Sequence, residues 1–174
     1  MGKSVADIDW RLAPFDDLTG RQVHDLLALR QAVFVVEQNC PFAEIDGRDP
    51  LARHLLGTRA GALVACARLL PASPDWPRAI GRVATAPSER GKGLGRAVMI
   101  EAMRILLAED TAAPIALSAQ AHLVERLYAP LGFRIDGEPY DEDGIPHVDM
   151  RFDPQGPSSS ISGGISGASA GGIG

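Results

Sequence analysis

The sequence predicts one α/β (α+β) domain, with a mixed central β-sheet of about seven strands flanked by helices. Apolar runs typical of strands alternate with longer stretches that have helical periodicity. The chain has 174 residues, of which 45% are hydrophobic and 22% charged, as expected for a protein that buries one substantial core. We place this domain at residues 1–153.

Strands are predicted where short apolar runs are bounded by turn residues, at 9–13, 54–58, 62–70, 79–85, 115–119, 134–137 and 148–152. The turn Thr58-Arg59-Ala60-Gly61 joins the second and third strands into an antiparallel hairpin. Helices are predicted at 21–36, 94–108 and 121–131, where apolar residues recur three and four positions apart.

A glycine-rich loop, Arg90-Gly91-Lys92-Gly93-Leu94-Gly95, lies between the fourth strand and the second helix. Its glycines allow a tight turn, so that free N–H groups at the helix start can converge on phosphate oxygens. Arg96 stands where a dinucleotide fingerprint has its third glycine, and no Gly-Lys-Ser/Thr follows as in a P-loop. The pattern Arg-x-x-Gly-x-Gly predicts a nucleotide-tail site; a plain strand-to-helix turn is the alternative.

The glycine-rich loop, together with Tyr128-Ala129-Pro130-Leu131-Gly132-Phe133 downstream, resembles the GNAT superfamily of N-acetyltransferases. The resemblance implies a sheet splayed at its central strands to hold acyl-CoA, and Tyr128 as the acid for the departing thiolate. It also implies cofactor contacts from Val83, Ala84, Thr85, Arg90, Gly91, Lys92, Gly93, Leu94, Gly95 and Arg96. Many members carry an Asn where this chain reads Gln120-Ala121-His122, and Gln120 is the candidate to replace it.

The segments Leu29–Gln38 and Glu142–His147 look like the ElaA branch of that superfamily. The implied function is transfer of an acetyl group from acetyl-CoA to a primary amine of a small molecule or peptide, by direct attack in a ternary complex. The Arg-x-x-Val-Phe pattern at Arg30 also resembles acyl-homoserine lactone synthases, which leaves a longer-chain donor open. A non-catalytic acyl-CoA-binding module is the alternative from another class.

The residue that deprotonates the acceptor ammonium stays open at this stage. An amine with a pKa near 10 must lose a proton, and Glu37, His54, His122 and His147 are all candidates. Histidine titrates near neutrality, although a lone histidine is more often structural. Deprotonation relayed by water would need no dedicated side chain.

Arg30 falls on the apolar face of the first predicted helix, where an unpaired guanidinium would be costly. We therefore expect it to meet a carboxylate from Glu37, Glu44, Asp46 or Asp49. Such a pair would fix the loop 39–53, and that loop could in turn form a wall of the acceptor pocket.

The net charge of −5 argues against a general nucleic-acid binder. Basic residues cluster in sequence around the glycine-rich loop (Arg78, Arg82, Arg90, Lys92, Arg96), and acidic ones over 136–143, which would suit a polyanionic cofactor and a cationic amine. No run of apolar residues suggests a membrane segment, so a cytoplasmic location is expected, with a homodimer possible.

The histidines are scattered and the two cysteines are far apart, so no metal site is predicted. Cys66 is expected to be buried, which disfavours it as a nucleophile, whereas Cys40 in a loop keeps a covalent route open. Residues 154–174 are rich in Gly and Ser and are predicted to form a flexible C-terminal tail.

Overall fold

The computed structural model describes residues 4–156 and contains an eight-stranded mixed sheet with helices on both faces. The strands are β1 (Asp9–Pro14), β2 (Arg53–Arg59), β3 (Ala62–Leu70), β4 (Arg78–Thr85), β5 (Ile115–Gln120), β6 (Arg134–Ile135), β7 (Tyr140–Glu142) and β8 (Ile145–Phe152). The predicted α/β sheet is confirmed, with one strand, β7, in addition to the seven predicted. Apart from 154–156, the predicted tail lies outside the described residues.

The sheet has two halves that meet at its centre. In order across the sheet the strands are β1-β2-β3-β4-β5-β8-β6, and β7 also pairs with β8. The first half is an antiparallel meander, β1 to β4. The predicted hairpin is confirmed, because Ala60 and Gly61 both have positive φ and connect Arg59 to Ala62.

The long helices lie on opposite faces of the sheet. Helix α1 (Gly20–Arg30) begins with a capping box, in which Thr19 and Gln22 satisfy each other's backbone N–H groups. Helix α2 (Leu94–Glu109) buries residues at helical spacing against β3 and β4: Leu94, Val98, Ala102 and Leu106, with Met99 and Met103 beside them. Each large apolar side chain buried there stabilises the fold by roughly 1.5–3 kcal/mol.

Two predicted helices differ in their hydrogen bonding from regular α-helix. The stretch Gln31–Glu37 continues α1 as a π-helical segment, and residues 121–131 form three short turns rather than one α-helix. The wider π turn changes the helix phase, and residues of this stretch reach the cavity described below.

The centre of the sheet opens between β4 and β5. These strands are parallel but pair only at Arg78 with Ile115 and at Ala79 with Ala116. Beyond Ala79, the edge of β4 that faces β5 therefore has no strand partner among the residues that the structure describes. A bulge at Arg82, whose φ is +50°, adds one residue to β4 relative to β3. The sheet is consequently split toward the carboxyl ends of its two central strands.

Candidate active site

A cavity of ≈ 950 Å³ occupies the opening between β4 and β5. Seven consecutive β4 residues, 79–85, line one side, and Leu117, Ser118 and Gln120 of β5 line the other. The π-helical segment, the loop after it and the β7–β8 hairpin close the rest. Ligand sites in open sheets commonly lie beyond the carboxyl ends of strands, so this is the candidate active site.

The glycine-rich loop at one end of the cavity has the features that an anion needs. Gly91 and Gly93 have φ of 75° and 77°, which favours glycine. Helix α2 starts with the bond from Ala97 N–H to Gly93 O, and no side chain caps the preceding amides. A Cβ on Gly91, Gly93 or Gly95 would meet nothing within 4 Å, so the space beside this backbone is open.

These properties fit the diphosphate of acyl-CoA, which would accept hydrogen bonds from the first-turn N–H groups of α2. The unpaired edge of β4 at Val83, Ala84 and Thr85 could hold the extended arm. Gly95 and Arg90 line the cavity, whereas Leu94 is buried beneath it.

The basic side chains that lie near this loop in the sequence do not all point to the loop in the fold. Lys92 turns back to the carbonyl of Ser88 and the carboxylate of Glu89, and Arg96 is exposed. Arg78 donates to carbonyl oxygens at the far end of α2, including that of Asp110. Arg82 pairs with Glu44 and Asp46. Of the basic residues that cluster in sequence around the loop, Arg78 and Arg82 thus pair with acceptors elsewhere in the fold.

Tyr128 borders the cavity, and its hydroxyl has no hydrogen-bond partner in the described part of the chain. The side chain is 7% exposed and packs edge-on against Phe133, with ring centroids 6.3 Å apart. Within residues 4–156 no group hydrogen-bonds its hydroxyl, and burial alone raises the pKa of Tyr128 to about 12. The phenol therefore keeps its proton at neutral pH and has that proton available for a ligand.

His147 also lines the cavity, and its hydrogen bond assigns its tautomer. Nδ1 lies 2.8 Å from the carbonyl oxygen of Ile145, so Nδ1 carries the donating hydrogen. Nε2 is left with its lone pair, 3.8 Å from a carboxylate oxygen of Glu142. That carboxylate would stabilise the imidazolium formed when Nε2 accepts a proton.

The other three proton-acceptor candidates are placed differently. Glu37 lines the cavity but pairs with Arg90, and hydrogen bonding from that guanidinium lowers the pKa of Glu37. His122 is exposed at the cavity rim. His54 is fully buried under the sheet, outside the cavity lining, with Nε2 3.1 Å from the carbonyl oxygen of Asp49. Burial lowers the pKa of His54, and its position argues against contact with substrate.

Gln120 bridges the cavity at the end of β5. Its amide Nε2 donates to Oε1 of Gln38 across 3.0 Å, and both residues line the cavity. Gln120 is thus close enough to contact a cofactor held between the strands, and it joins β5 to the end of the π-helical segment.

A cluster of six charged side chains, here called the ion cluster, lies beneath one wall of the cavity. Arg30, which is 0% exposed, pairs at 2.7 Å with both Glu44 and Asp49. Arg68 and Arg82 complete the ion cluster through Asp46, and each also reaches a second carboxylate. The expectation that Arg30 meets carboxylates is confirmed at Glu44 and Asp49; Glu37 pairs elsewhere.

Arginines in the ion cluster keep Asp46 and Asp49 charged. Burial is the largest single effect on Asp46 and Asp49 and disfavours their charge, but hydrogen bonds and charge attraction, chiefly from the neighbouring arginines, together outweigh it and lower the pKa of each carboxyl. The ion cluster fixes the loop after the π-helical segment, and Glu44 and Asp46 of that loop line the cavity. The loop is therefore both a structural element and a cavity wall.

The polar cavity residues Ser118, Tyr140 and Asp149 were not predicted from the sequence. Tyr140 donates to Oδ1 of Asp149 at 2.9 Å, and its oxygen lies 2.5 Å from Ser118 Oγ. The available signal is Ser118, a polar residue within an apolar strand and exposed between buried neighbours. The strand pairing that brings Asp149 opposite Ser118 is long-range, and spacing does not reveal it.

The cysteines differ in accessibility as expected. Cys66 is fully buried, and burial raises the pKa of its thiol to about 12, which disfavours the thiolate. Cys40 is half-buried and lines the cavity, with Sγ 3.9 Å from the carbonyl oxygen of Asp143.

Within residues 4–156, no cluster of three or more His, Cys, Asp or Glu side chains is arranged to hold a metal ion. Over the same residues, every helix falls short of the length and apolar character needed to cross a membrane.

Comparisons with known proteins agree with this geometry. The family described as acetyltransferase (GNAT) domain matches residues 28–154. A UPF0039 protein of Synechocystis is 43% identical over 148 residues, which cover 84% of this chain and 96% of that protein. Protein ElaA of Escherichia coli is 42% identical over 146 residues, covering 82% of this chain and 95% of its own.

Solved structures extend the similarity to the fold. The crystal structure of an acyl-CoA N-acyltransferase from Pseudomonas aeruginosa has a TM-score of 0.78 and 42% sequence identity to this chain. The alignment covers 83% of this chain and 99% of that protein.

Proposed function

This chain belongs to the GNAT acetyltransferase family, in its ElaA-like branch, and from that premise we propose that it transfers an acetyl group from acetyl-CoA to a primary amine by direct attack in a ternary complex. The observation that carries the proposal is the split between β4 and β5, because it opens a cavity with an anion-binding loop at one end and Tyr128 beside it.

The chain's backbone would hold the donor. Bound acetyl-CoA supplies the acetyl group as a thioester. First-turn N–H groups at Gly93, Leu94 and Gly95 would bind the diphosphate, and Arg90 would add charge once released from Glu37. The free edge of β4 at Val83 and Ala84 offers hydrogen bonds along the arm.

Tyr128 would donate its proton to the departing sulfur. Its hydroxyl is protonated at neutral pH and has no competing protein partner among the described residues. Protonation matters because a neutral thiol leaves more readily than a thiolate in an enclosed cavity.

His147 is our choice as proton acceptor for the attacking amine. Its Nε2 lone pair borders the cavity, and Glu142 can stabilise the charged ring. Glu37 is engaged with Arg90 and His54 lies outside the cavity, whereas His122 remains a candidate at the rim.

The test combines donor binding with turnover. Calorimetry with CoA should show binding to the intact protein, and a thiol-release assay over an amine panel should show turnover. Tyr128→Phe and His147→Gln should each lower kcat by about a hundredfold, the lower end for general acid–base catalysis, with little change in CoA affinity.

His24→Gln is the matched control, because His24 is exposed on α1 and does not line the cavity. Equal kcat in the wild type and Tyr128→Phe would remove Tyr128 from its role. CoA binding without thiol release on any amine would favour the acyl-CoA-binding module, and release only with long acyl donors would favour the lactone-synthase-like alternative.

A further inference from the structure

Ser118, Tyr140 and Asp149 form a directed hydrogen-bond chain on the floor of the cavity. The single hydroxyl proton of Tyr140 goes to Asp149 Oδ1, so Tyr140 Oη can only accept from Ser118. The hydroxyl proton of Ser118 is therefore also engaged, in the hydrogen bond to Tyr140 Oη. All three groups therefore present lone pairs to the cavity, and the surface they form can bind a hydrogen-bond donor but not another acceptor.

Within the described part of the chain, the carboxylate of Asp149 at the end of this hydrogen-bond chain is not paired with a cationic side chain. Among residues 4–156, Asp149 makes no ion pair, in contrast to Glu44 and Asp46 of the ion cluster, which meet two arginines each. Burial, with the hydrogen bond to the Asp149 carboxylate in addition, raises the pKa of Tyr140, so the phenol keeps its proton. A half-buried negative charge that accepts hydrogen bonds is matched by a cationic N–H donor.

The attacking nitrogen is not the group that fits Asp149. A nearby carboxylate raises the pKa of an ammonium and so opposes its deprotonation, whereas the attacking amine must be neutral. His147, which can accept a proton, lies two residues away on β8, about 6.6 Å along the strand. The two positions suit two nitrogens of one molecule, one reacting and one remaining charged.

We propose that the acceptor is a diamine or polyamine, and that Ser118, Tyr140 and Asp149 bind its non-reacting ammonium while the other nitrogen faces His147. This inference rests on the proposed function. Phe42 and Trp76, which line the cavity and are 53% and 42% exposed, offer apolar surface to the carbon chain.

The test compares cadaverine, a linear terminal diamine, with pentylamine, a monoamine of the same length. In the wild type kcat/KM should favour cadaverine by about tenfold or more, as expected for hydrogen bonds to a charged group. Asp149→Asn should bring this ratio close to one, chiefly through KM. Asp153→Asn is the matched control, because Asp153 follows the same strand, pairs with Arg151 and lies outside the cavity lining.

Calorimetric titration of both amines into the protein, with and without CoA, separates this inference from the proposed function. Cadaverine binding that is lost in Asp149→Asn supports the ammonium site even if turnover fails. Turnover with no preference between the amines, or a preference that survives in Asp149→Asn, overturns the diamine inference and leaves the acetyltransferase intact. Absence of CoA binding would instead count against the acetyltransferase.

Discussion

Two charged regions of the molecule, the ion cluster and the glycine-rich loop, are organised in opposite ways. In the ion cluster three arginines and three carboxylates are paired with one another at one wall of the cavity. At the loop the helix amides have no cap, Arg96 is exposed and Arg90 has one exposed partner, Glu37. Charged side chains that stabilise the fold are thus paired with one another within the chain. Groups positioned to bind a ligand retain hydrogen-bonding capacity that the chain itself does not use.

Breaking the ion cluster should have the largest effect. Arg30→Met would leave Glu44 and Asp49 buried near β2 with fewer partners, and we expect a loss of about 3–5 kcal/mol in the free energy of unfolding. Urea denaturation measures it. Arg104→Met is the control: Arg104 pairs with Glu101 on the exposed face of α2 and should change the urea midpoint little. Similar midpoints for the two variants would contradict the role of the ion cluster.

Changing the loop backbone should have a smaller effect on stability and a separate one on binding. Gly93→Ala forces an L side chain into φ of 77° and should cost about 1–2 kcal/mol. It should also weaken CoA binding roughly fivefold, by disturbing the amides at the start of α2.

Gly61→Ala is the matched control, because Gly61 has φ of 78° in the β2–β3 hairpin, far along the chain from the loop. Both variants should lose similar stability in urea, and only Gly93→Ala should lose CoA affinity in calorimetry. Equal CoA affinity in the two variants would show that the loop does not bind the diphosphate.

Releasing Arg90 should have the smallest effect. Glu37→Gln removes the acidic partner of Arg90, so the guanidinium no longer has to leave an ion pair before it meets phosphate. CoA affinity should rise about two- to threefold at low salt, the scale of one exposed pair. Glu101→Gln, which removes an acidic partner of Arg104, is the control. A lower CoA affinity in Glu37→Gln would mean that Glu37 positions Arg90 for phosphate binding rather than competing with phosphate for it.

Local signals were sufficient to predict most of the fold. The strand at Ala62–Leu70 has the predicted bounds, and α2 ends one residue beyond its prediction, because apolar periodicity and turn residues lie within each segment. Strand β7 was missed, because Tyr140–Glu142 carries no apolar run and becomes a strand only by pairing with β8. The formation of this short edge strand does not depend on the burial of apolar side chains. The sequence therefore shows no periodic apolar pattern from which the strand could be predicted.

The candidate site was predictable only where a contiguous motif carries it. The glycine-rich loop and Tyr128 could be identified in this way, and both border the cavity. The hydrogen-bond chain from Ser118 through Tyr140 to Asp149 could not, because its side-chain bonds join residues 22 and 9 positions apart that only the folded sheet brings together. His54 was a plausible base by residue type alone, and only the fold shows that it lies buried away from the cavity.

The two residue pairs between β4 and β5 have a mechanical consequence. Among residues 4–156 they are the whole of the main-chain ladder between the two halves of the sheet, so few main-chain hydrogen bonds hold these halves together. A pantetheine arm lying along Val83 and Ala84 would hydrogen-bond to β4 as an additional strand does, and would hold the two halves of the sheet together while the donor is bound. Slower amide hydrogen exchange along β4 would then report donor occupancy directly, without any acceptor present.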